Sequence, residues 1–188
     1  DYEYAYILPV NDPKRKLKFT LQLIEKGSSR VGVNTHLTNH IGVEAIKNGV
    51  ITELADFKEL KTEVKYGSQN SRIDILLTHD DDTLHYVEIK NTTLAEGTNA
   101  RFPDAVTTRG QKHLQELTEM VEQGHKASML YVVNRNDCDT FSPATDIDPE
   151  YTRLLKLAIK AGVQVLAYSC ELSGEEIKII KPVELKID

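Results

Sequence analysis

Apolar and polar residues along the chain switch between two periods, and the switches mark out the elements. Period-two alternation puts Tyr2, Tyr4 and Tyr6 on one side of a strand. It returns over Lys18–Leu23, after the turn signal Asn11-Asp12-Pro13, so the chain opens with a β-hairpin. Gly27-Ser28-Ser29 reads as a linker. A stripe of Leu37, Ile41, Glu44 and Asn48, stopped by Gly49, predicts a helix over about residues 37–48. Three strands are expected in quick succession, at about 60–66, 72–78 and 84–91. After a loop at Phe102-Pro103-Asp104, the spacing predicts a helix from about Thr108 to Glu122, with Leu114, Leu117 and Val121 inward and Gly124 ending it. The nearly unbroken apolar run Ala127–Val133 is that of a strand buried on both faces. Asp148-Pro149-Glu150 supplies an N-cap, a first-turn proline and a first-turn acid to a helix ending at Gly162. Strands at about 163–170 and 177–180 close the chain.

Three adjacent strands on short turns form an antiparallel meander, and a following helix can carry the chain to a strand parallel with one of them. The expected fold class is α/β, a mixed sheet flanked by helices. A length of 188 residues, 40% hydrophobic, suits one globular domain with a small appendage. No apolar run approaches the roughly 20 residues of a membrane span, and no leader pattern is visible, so no membrane partner is expected. The chain begins at Asp1 rather than Met, so sequence ahead of it is expected to be missing. Cys138 and Cys170 lie far apart without metal-ligand spacing, which suggests neither a disulfide framework nor a zinc site and points to the cytoplasm.

The net charge of -6 argues against a protein that coats nucleic acid through bulk charge, but not against an enzyme built on clustered acids. Lys14-Arg15-Lys16 with Lys18 reads as a solvated turn before a phosphate contact.

The chemistry lies on the second and third strands of the meander. The acidic tip Asp80-Asp81-Asp82 favours a turn, and a hairpin symmetric about Asp81 sets Asp74 opposite Glu88 and Arg72 opposite Lys90. Period two then puts Asp74, Glu88 and Lys90 on one face, with Ile73, Ile75 and Leu77 on the other. Directly opposed carboxylates have Cβ atoms about 5 Å apart and repel unless a cation lies between them. Mg²⁺, or Mn²⁺ in its place, is the expected cofactor, with Lys90 orienting a water or neutralising charge on a phosphate. A surface salt-bridge cluster would use the same residues.

Several segments carry a resemblance: Val33-Asn34-Thr35, Glu63-Val64-Lys65-Tyr66-Gly67, Ser71-Arg72-Ile73-Asp74, Val87-Glu88-Ile89-Lys90-Asn91 and the block from Phe102 to Leu114. From about Gly32 onward the chain resembles the sugar fermentation stimulation protein family of prokaryotes. The resemblance implies a DNA-binding protein connected to sugar (maltose) metabolism. It also implies an N-terminal oligonucleotide-binding (OB-like) barrel joined to a restriction-endonuclease-like, PD-(D/E)XK core. Residues 1–27 would be a remnant of the barrel and 28–188 the nuclease-like domain. The motif of an acid, then acid-x-Lys on the next strand, falls on Asp74 and on Glu88-Ile89-Lys90, with Ile73 where the pattern has proline. The Ile89 carbonyl would add a metal ligand, and the resemblance puts Glu44 in the place of a helix acid that completes the shell. A buried salt bridge would serve Glu44 equally well.

Glu63 is expected to pair with Lys65 or Lys61. Gln111 holds the place of a glutamine that contacts water or phosphate in such nucleases, yet Thr108-x-x-Gln111 is also a capping box. Arg101, Arg109, Lys112 and His113 gather at the same helix N-terminus and would contact nucleic acid, although a histidine there is usually a surface residue. The expected function is that of a DNA-binding, Mg²⁺-dependent phosphodiesterase, with a non-catalytic binder on the same scaffold as the alternative. A small-molecule enzyme of carbohydrate metabolism lacks support, since no Gly-rich nucleotide loop is present. Assembly as a homo-oligomer is left open.

Overall fold

The computed structural model describes residues 3–68 and 71–187. Tyr2 of the expected alternation lies outside them. β1 (Tyr4–Pro9) pairs antiparallel with β2 (Phe19–Lys26), and β2 with β3 (Ser29–Gly32). Gly27-Ser28-Ser29 is therefore a tight turn entering β3, with Gly27 at φ 59, and not a linker. The basic cluster lies in the connection of the first hairpin. There the Lys14 amide donates to Asp12 Oδ1 at 2.8 Å, and Arg15 donates to Thr20 Oγ1 at 3.2 Å.

Then come α1 (Thr38–Lys47), β4 (Glu59–Tyr66), β5 (Ser71–Thr78), β6 (Leu84–Thr92), β7 (Leu94–Glu96), β8 (Asn99–Phe102) and α2 (Thr108–Glu122). β9 (Lys126–Val133), β10 (Thr140–Pro143), α3 (Pro149–Ala161), β11 (Gln164–Leu172), β12 (Ile177–Pro182) and β13 (Glu184–Leu185) complete the chain. The main sheet has the order β12-β11-β9-β6-β5-β4. β4, β5 and β6 form the expected meander; β9 runs parallel to β6, β11 parallel to β9, and β12 returns antiparallel. The fold is thus a mixed α/β sheet with helices on its faces.

α1 covers one face, where Ile41 and Ile46 pack with Ile75, Val87, Leu130 and Val132. α2 and α3 cover the other, where Leu114, Leu117 and Leu155 pack with Ile73, Met129 and Tyr131. β9 feeds both cores, and every residue from Ala127 to Val133 is buried, which is why its sequence reads as an unbroken apolar run. The fully buried Met129, Leu130, Val132 and Val133 each stabilise the fold by about 1.5–3 kcal/mol. A third sheet, β13-β10-β8-β7, has no clear alternation in sequence and was not expected.

The helix ends are set locally. Asp148 caps α3, its carboxylate accepting the Tyr151 amide at 2.9 Å, and Gly162 ends that helix at φ 111. α2 is capped by Thr107, whose Oγ1 accepts the Gly110 amide at 3.0 Å. The capping box expected of Thr108 and Gln111 does not form, because the cap lies one residue earlier. Among the described residues no helix is long and apolar enough to cross a membrane.

The three-stranded sheet β1-β2-β3 is joined by backbone to the chain just past β9. Val31 bridges Arg135, and the Gly32 amide donates to the Asn134 carbonyl at 2.9 Å. A Cβ at Gly32 would overlap the Asn134 side chain, so this approach needs glycine. Asn91, at the end of β6, accepts from Thr38 Oγ1 at 3.1 Å and from Asn134 Nδ2 at 3.2 Å.

Candidate functional site

The Asp80–Asp82 turn sets the β5–β6 register. Thr78 pairs with Leu84, and the ladder continues to Ile75 opposite Val87, symmetric about Asp81 as expected. There it stops. The next amide of β6 on that edge, Ile89 N, donates at 2.7 Å to Asp74 Oδ2. On the other edge of β5, the pairs Thr62–Ile75 and Val64–Ile73 skip Glu63, which has φ 55. Asp74 therefore sits where β5 loses regular pairing on both sides.

This break changes which core the strand faces. Ile75 and Leu77 lie in the α1 core, whereas Ile73 lies in the α2–α3 core. The expectation that Ile73, Ile75 and Leu77 share a face is thus corrected: simple alternation needs an unbroken ladder, and the left-handed Glu63 interrupts it. Glu88 and Lys90 meet His113 of α2. Asp74 instead lies in the seam between the strands, where Oδ1 accepts from Asn39 Nδ2 of α1 at 2.8 Å.

Glu88 is 2% exposed. Its Oε1 accepts from Lys90 Nζ at 2.6 Å and is also bonded by His113 Nδ1, while Oε2 is buried without a hydrogen-bond partner among the described residues. Burial alone would raise its carboxyl, but the Lys90 ammonium and the His113 hydrogen bond outweigh burial and hold it below the usual range. Asp74 moves the other way. Burial and then the Glu88 charge push it up to about 6, against the hydrogen bonds from Ile89 and Asn39. Tyr66 is raised by burial and by the charges of Glu88, Glu116 and Asp74.

These residues fit a hard divalent cation. A buried, ionised carboxylate with one orphaned oxygen lies within electrostatic reach of a second acid that resists ionising beside it. Among the described residues no group of three or more His, Cys, Asp or Glu could hold a metal. Asp74 and Glu88 are two carboxylates, and Mg²⁺ sites are commonly built on one or two carboxylates completed by water and phosphate oxygens.

Other expected residues fall elsewhere. Glu44 is exposed and lines a hollow with Ile41, Asn48, Glu176 and Lys178, so the structure does not bring it to Asp74. At 3.6 residues per turn, the stripe of α1 that reaches Asp74 holds Asn39, Val43 and Lys47, and Glu44 lies off it. Gln111 Nε2 donates to both Asp148 oxygens, at 3.0 and 3.1 Å, bracing the α3 cap instead of facing the acids. Arg101 is paired with Glu96 and Asp146. Arg109 is exposed, and its Nε donates to His113 Nε2 at 3.4 Å; Lys112 is half-buried. His113 is no surface residue: it is 3% exposed. Glu63 has no ion pair among the described residues, since Lys61 pairs with Glu59 at 2.9 Å.

Sequence reading missed two further features. Glu116 of α2 is 0% exposed, and among the described residues neither carboxylate oxygen has a hydrogen-bond partner. Its sequence signal, shared with His113, was membership of the buried stripe through Leu117 and Met120. The other is a groove of about 610 Å³ opening onto Asp74. α1 and the turn before it line it with His36, Asn39, His40 and Lys47, and β4 with Leu60, Thr62 and Glu63.

Residues 36–176 match the family model described as "Sugar fermentation stimulation protein RE domain". The chain is 49% identical over 186 residues to a sugar fermentation stimulation protein homolog of Shewanella loihica, covering 98% of this chain and 80% of that protein. It is 46% identical over 183 residues to the homolog of Geotalea uraniireducens, covering 97% and 78%. Among solved structures it is similar to Pyrococcus furiosus SfsA in complex with Ca²⁺, with a TM-score of 0.86 and 29% identity, covering 97% of this chain and 78% of that one.

Proposed function

The chain belongs to the sugar fermentation stimulation protein family, and from that premise we propose that it is a DNA-binding protein with a divalent-cation-dependent phosphodiesterase site. One observation carries the reading: Glu88 Oε2 is buried, belongs to an ionised carboxylate and has no hydrogen bond among the described residues, while Asp74 beside it resists ionising. A buried anionic oxygen left alone is costly, and a cation shared with Asp74 removes that cost. The Pyrococcus furiosus relative was solved in complex with Ca²⁺, which supports a hard-cation site here. We assign Mg²⁺ or Mn²⁺ as the working ion, held by Asp74, Glu88 and the Ile89 carbonyl. When bound, the ion supplies Lewis-acid polarisation of a phosphate oxygen and stabilises the leaving oxygen.

The chain's own groups do the rest. Asn39 and the Ile89 amide fix both oxygens of Asp74. The Lys90 ammonium, 13% exposed beside Glu88, neutralises charge that builds on the phosphate. The groove along α1 is the strand's path: His36, His40 and Lys47 are exposed donors for phosphate oxygens, with Asp74 in its wall. Exposed Arg109 borders the site from the α2 side. On this reading the family's connection to sugar (maltose) metabolism runs through nucleic acid.

The test is plasmid cleavage with Mg²⁺ or Mn²⁺, comparing the wild type with Asp74→Ala and Lys90→Ala. Nicking by the wild type alone is expected. DNA retardation on a gel with no cutting under either metal would establish the binding-only alternative. One observation favours that alternative: α1 presents Asn39 to Asp74 where a third acid was expected.

A further inference from the structure

We infer that His113 is the positioning residue of the Glu88 carboxylate, holding Oε1 so that Oε2 is the oxygen offered to the cation; this rests on the cation site proposed above. Two donors converge on one oxygen. Lys90 Nζ lies 2.6 Å from Glu88 Oε1, and His113 Nδ1 bonds the same atom, leaving Oε2 without a partner among the described residues. The arrangement is asymmetric in a buried place, with Glu88 2% and His113 3% exposed. A histidine that merely satisfied a buried acid would leave no reason for the second oxygen to stay bare, since an unpaired buried acceptor is destabilising.

The ring is itself oriented. Arg109, one turn earlier on α2, donates from Nε to His113 Nε2 at 3.4 Å. With Nε2 accepting, the proton sits on Nδ1, which makes His113 the donor to Glu88. Lys90 Nζ, 3.2 Å from Nδ1, then directs its protons to Glu88 rather than to the ring. Lys90 supplies charge, which has little directionality, whereas His113 supplies a directed N–H from the rigid face of α2. Together they fix the carboxylate's rotation, as outer-shell partners of metal ligands do.

The test compares His113→Asn, His113→Gln and His113→Leu in the full chain. Ca²⁺ binding is measured by calorimetry, and folding of the metal-free proteins by urea denaturation. Asparagine places an amide N–H near the Nδ1 position, so it should keep Ca²⁺ affinity within a few-fold of the wild type. Glutamine and leucine should each lose about 10–100-fold, the usual consequence of removing an outer-shell partner. Wild-type affinity in a folded His113→Leu protein overturns the inference, as does equal loss in folded Asn and Gln variants. If leucine prevents folding, the Asn–Gln comparison decides. Nitrogen-correlated spectra of the wild-type ring decide without any variant: a proton on Nδ1 with and without Ca²⁺ is expected, and one on Nε2 would rule the role out. A wild type that binds no Ca²⁺ or Mg²⁺ instead overturns the cation site itself.

Discussion

The Asp74 carboxylate accepts the backbone amide of Ile89 at 2.7 Å, taking the place of a ladder hydrogen bond where β5 and β6 part. The side chain is thereby tied to the strand that carries Glu88 and Lys90. Its position depends on backbone as much as on its own rotamer.

The pH dependence of stability follows from Asp74. Its folded pKa, about 6, lies above the ordinary 3.8, so the folded state holds the proton more tightly. That stabilisation is complete below about pH 4 and is lost as pH rises through about 6. The shift corresponds to at most about 3 kcal/mol. Asp74→Asn removes it, although the amide surrenders one acceptor at a cost of about 1 kcal/mol. In EDTA, the melting temperature of Asp74→Asn relative to the wild type should therefore rise between pH 5 and 7.5. Divalent cation at pH 7.5 should raise the wild type alone. A pH-independent difference would contradict the assignment.

Lys90→Met should be destabilising in the absence of metal. It removes the ammonium 2.6 Å from a buried carboxylate, leaving His113 as the remaining donor to Oε1. Breaking one side of a buried pair costs about 3–5 kcal/mol, and the residual histidine bond should place this loss at the lower end. Urea titration with and without Ca²⁺ reads it: the loss should shrink when the cation is present.

Gln111→Ala should cost about 1 kcal/mol and leave divalent-cation affinity unchanged, because Gln111 donates to the Asp148 cap of α3 and not to the acids. Calorimetric titration beside thermal melting separates the two effects. A weakened cation site in this variant would return Gln111 to the chemistry.

Lys47→Glu should weaken DNA binding several-fold and reduce the salt dependence of log Kd by about one unit, as removal of one phosphate contact does. Lys47 is exposed in the groove beside Asp74, so the melting temperature should barely move. Gel shifts at several salt concentrations measure it. An unaltered slope would place the strand elsewhere.

Much of the fold could be read from sequence because its signals are local. The acidic tip at Asp80–Asp82 fixed the β5–β6 register, Asp148-Pro149 and Gly162 bounded α3, and the unbroken run of β9 told of two cores. The site was less legible, since its key events are tertiary. Nothing in the letters announces that Glu63 takes φ 55, yet that residue lies at the break which moves Ile73 into the other core. Gln111 was expected at the chemistry or in a capping box and His113 at the surface, whereas Gln111 braces Asp148 and His113 meets Glu88. Both lie on α2 near Arg109, and only packing against Glu88 and Asp148 decides which is buried beside the acids. Glu44 misled because a stripe counted from Leu37 differs from the face that reaches Asp74.

The joint at Gly32 and Asn134 makes one small residue answerable to two neighbourhoods. The Val31–Arg135 bridge and the Gly32–Asn134 hydrogen bond hold the β1-β2-β3 sheet against the chain just past β9, and the Asn134 side chain donates on to Asn91, the residue after Lys90. A methyl group added at Gly32 would press on that side chain, so a change at the edge of the sheet would be felt next to Lys90.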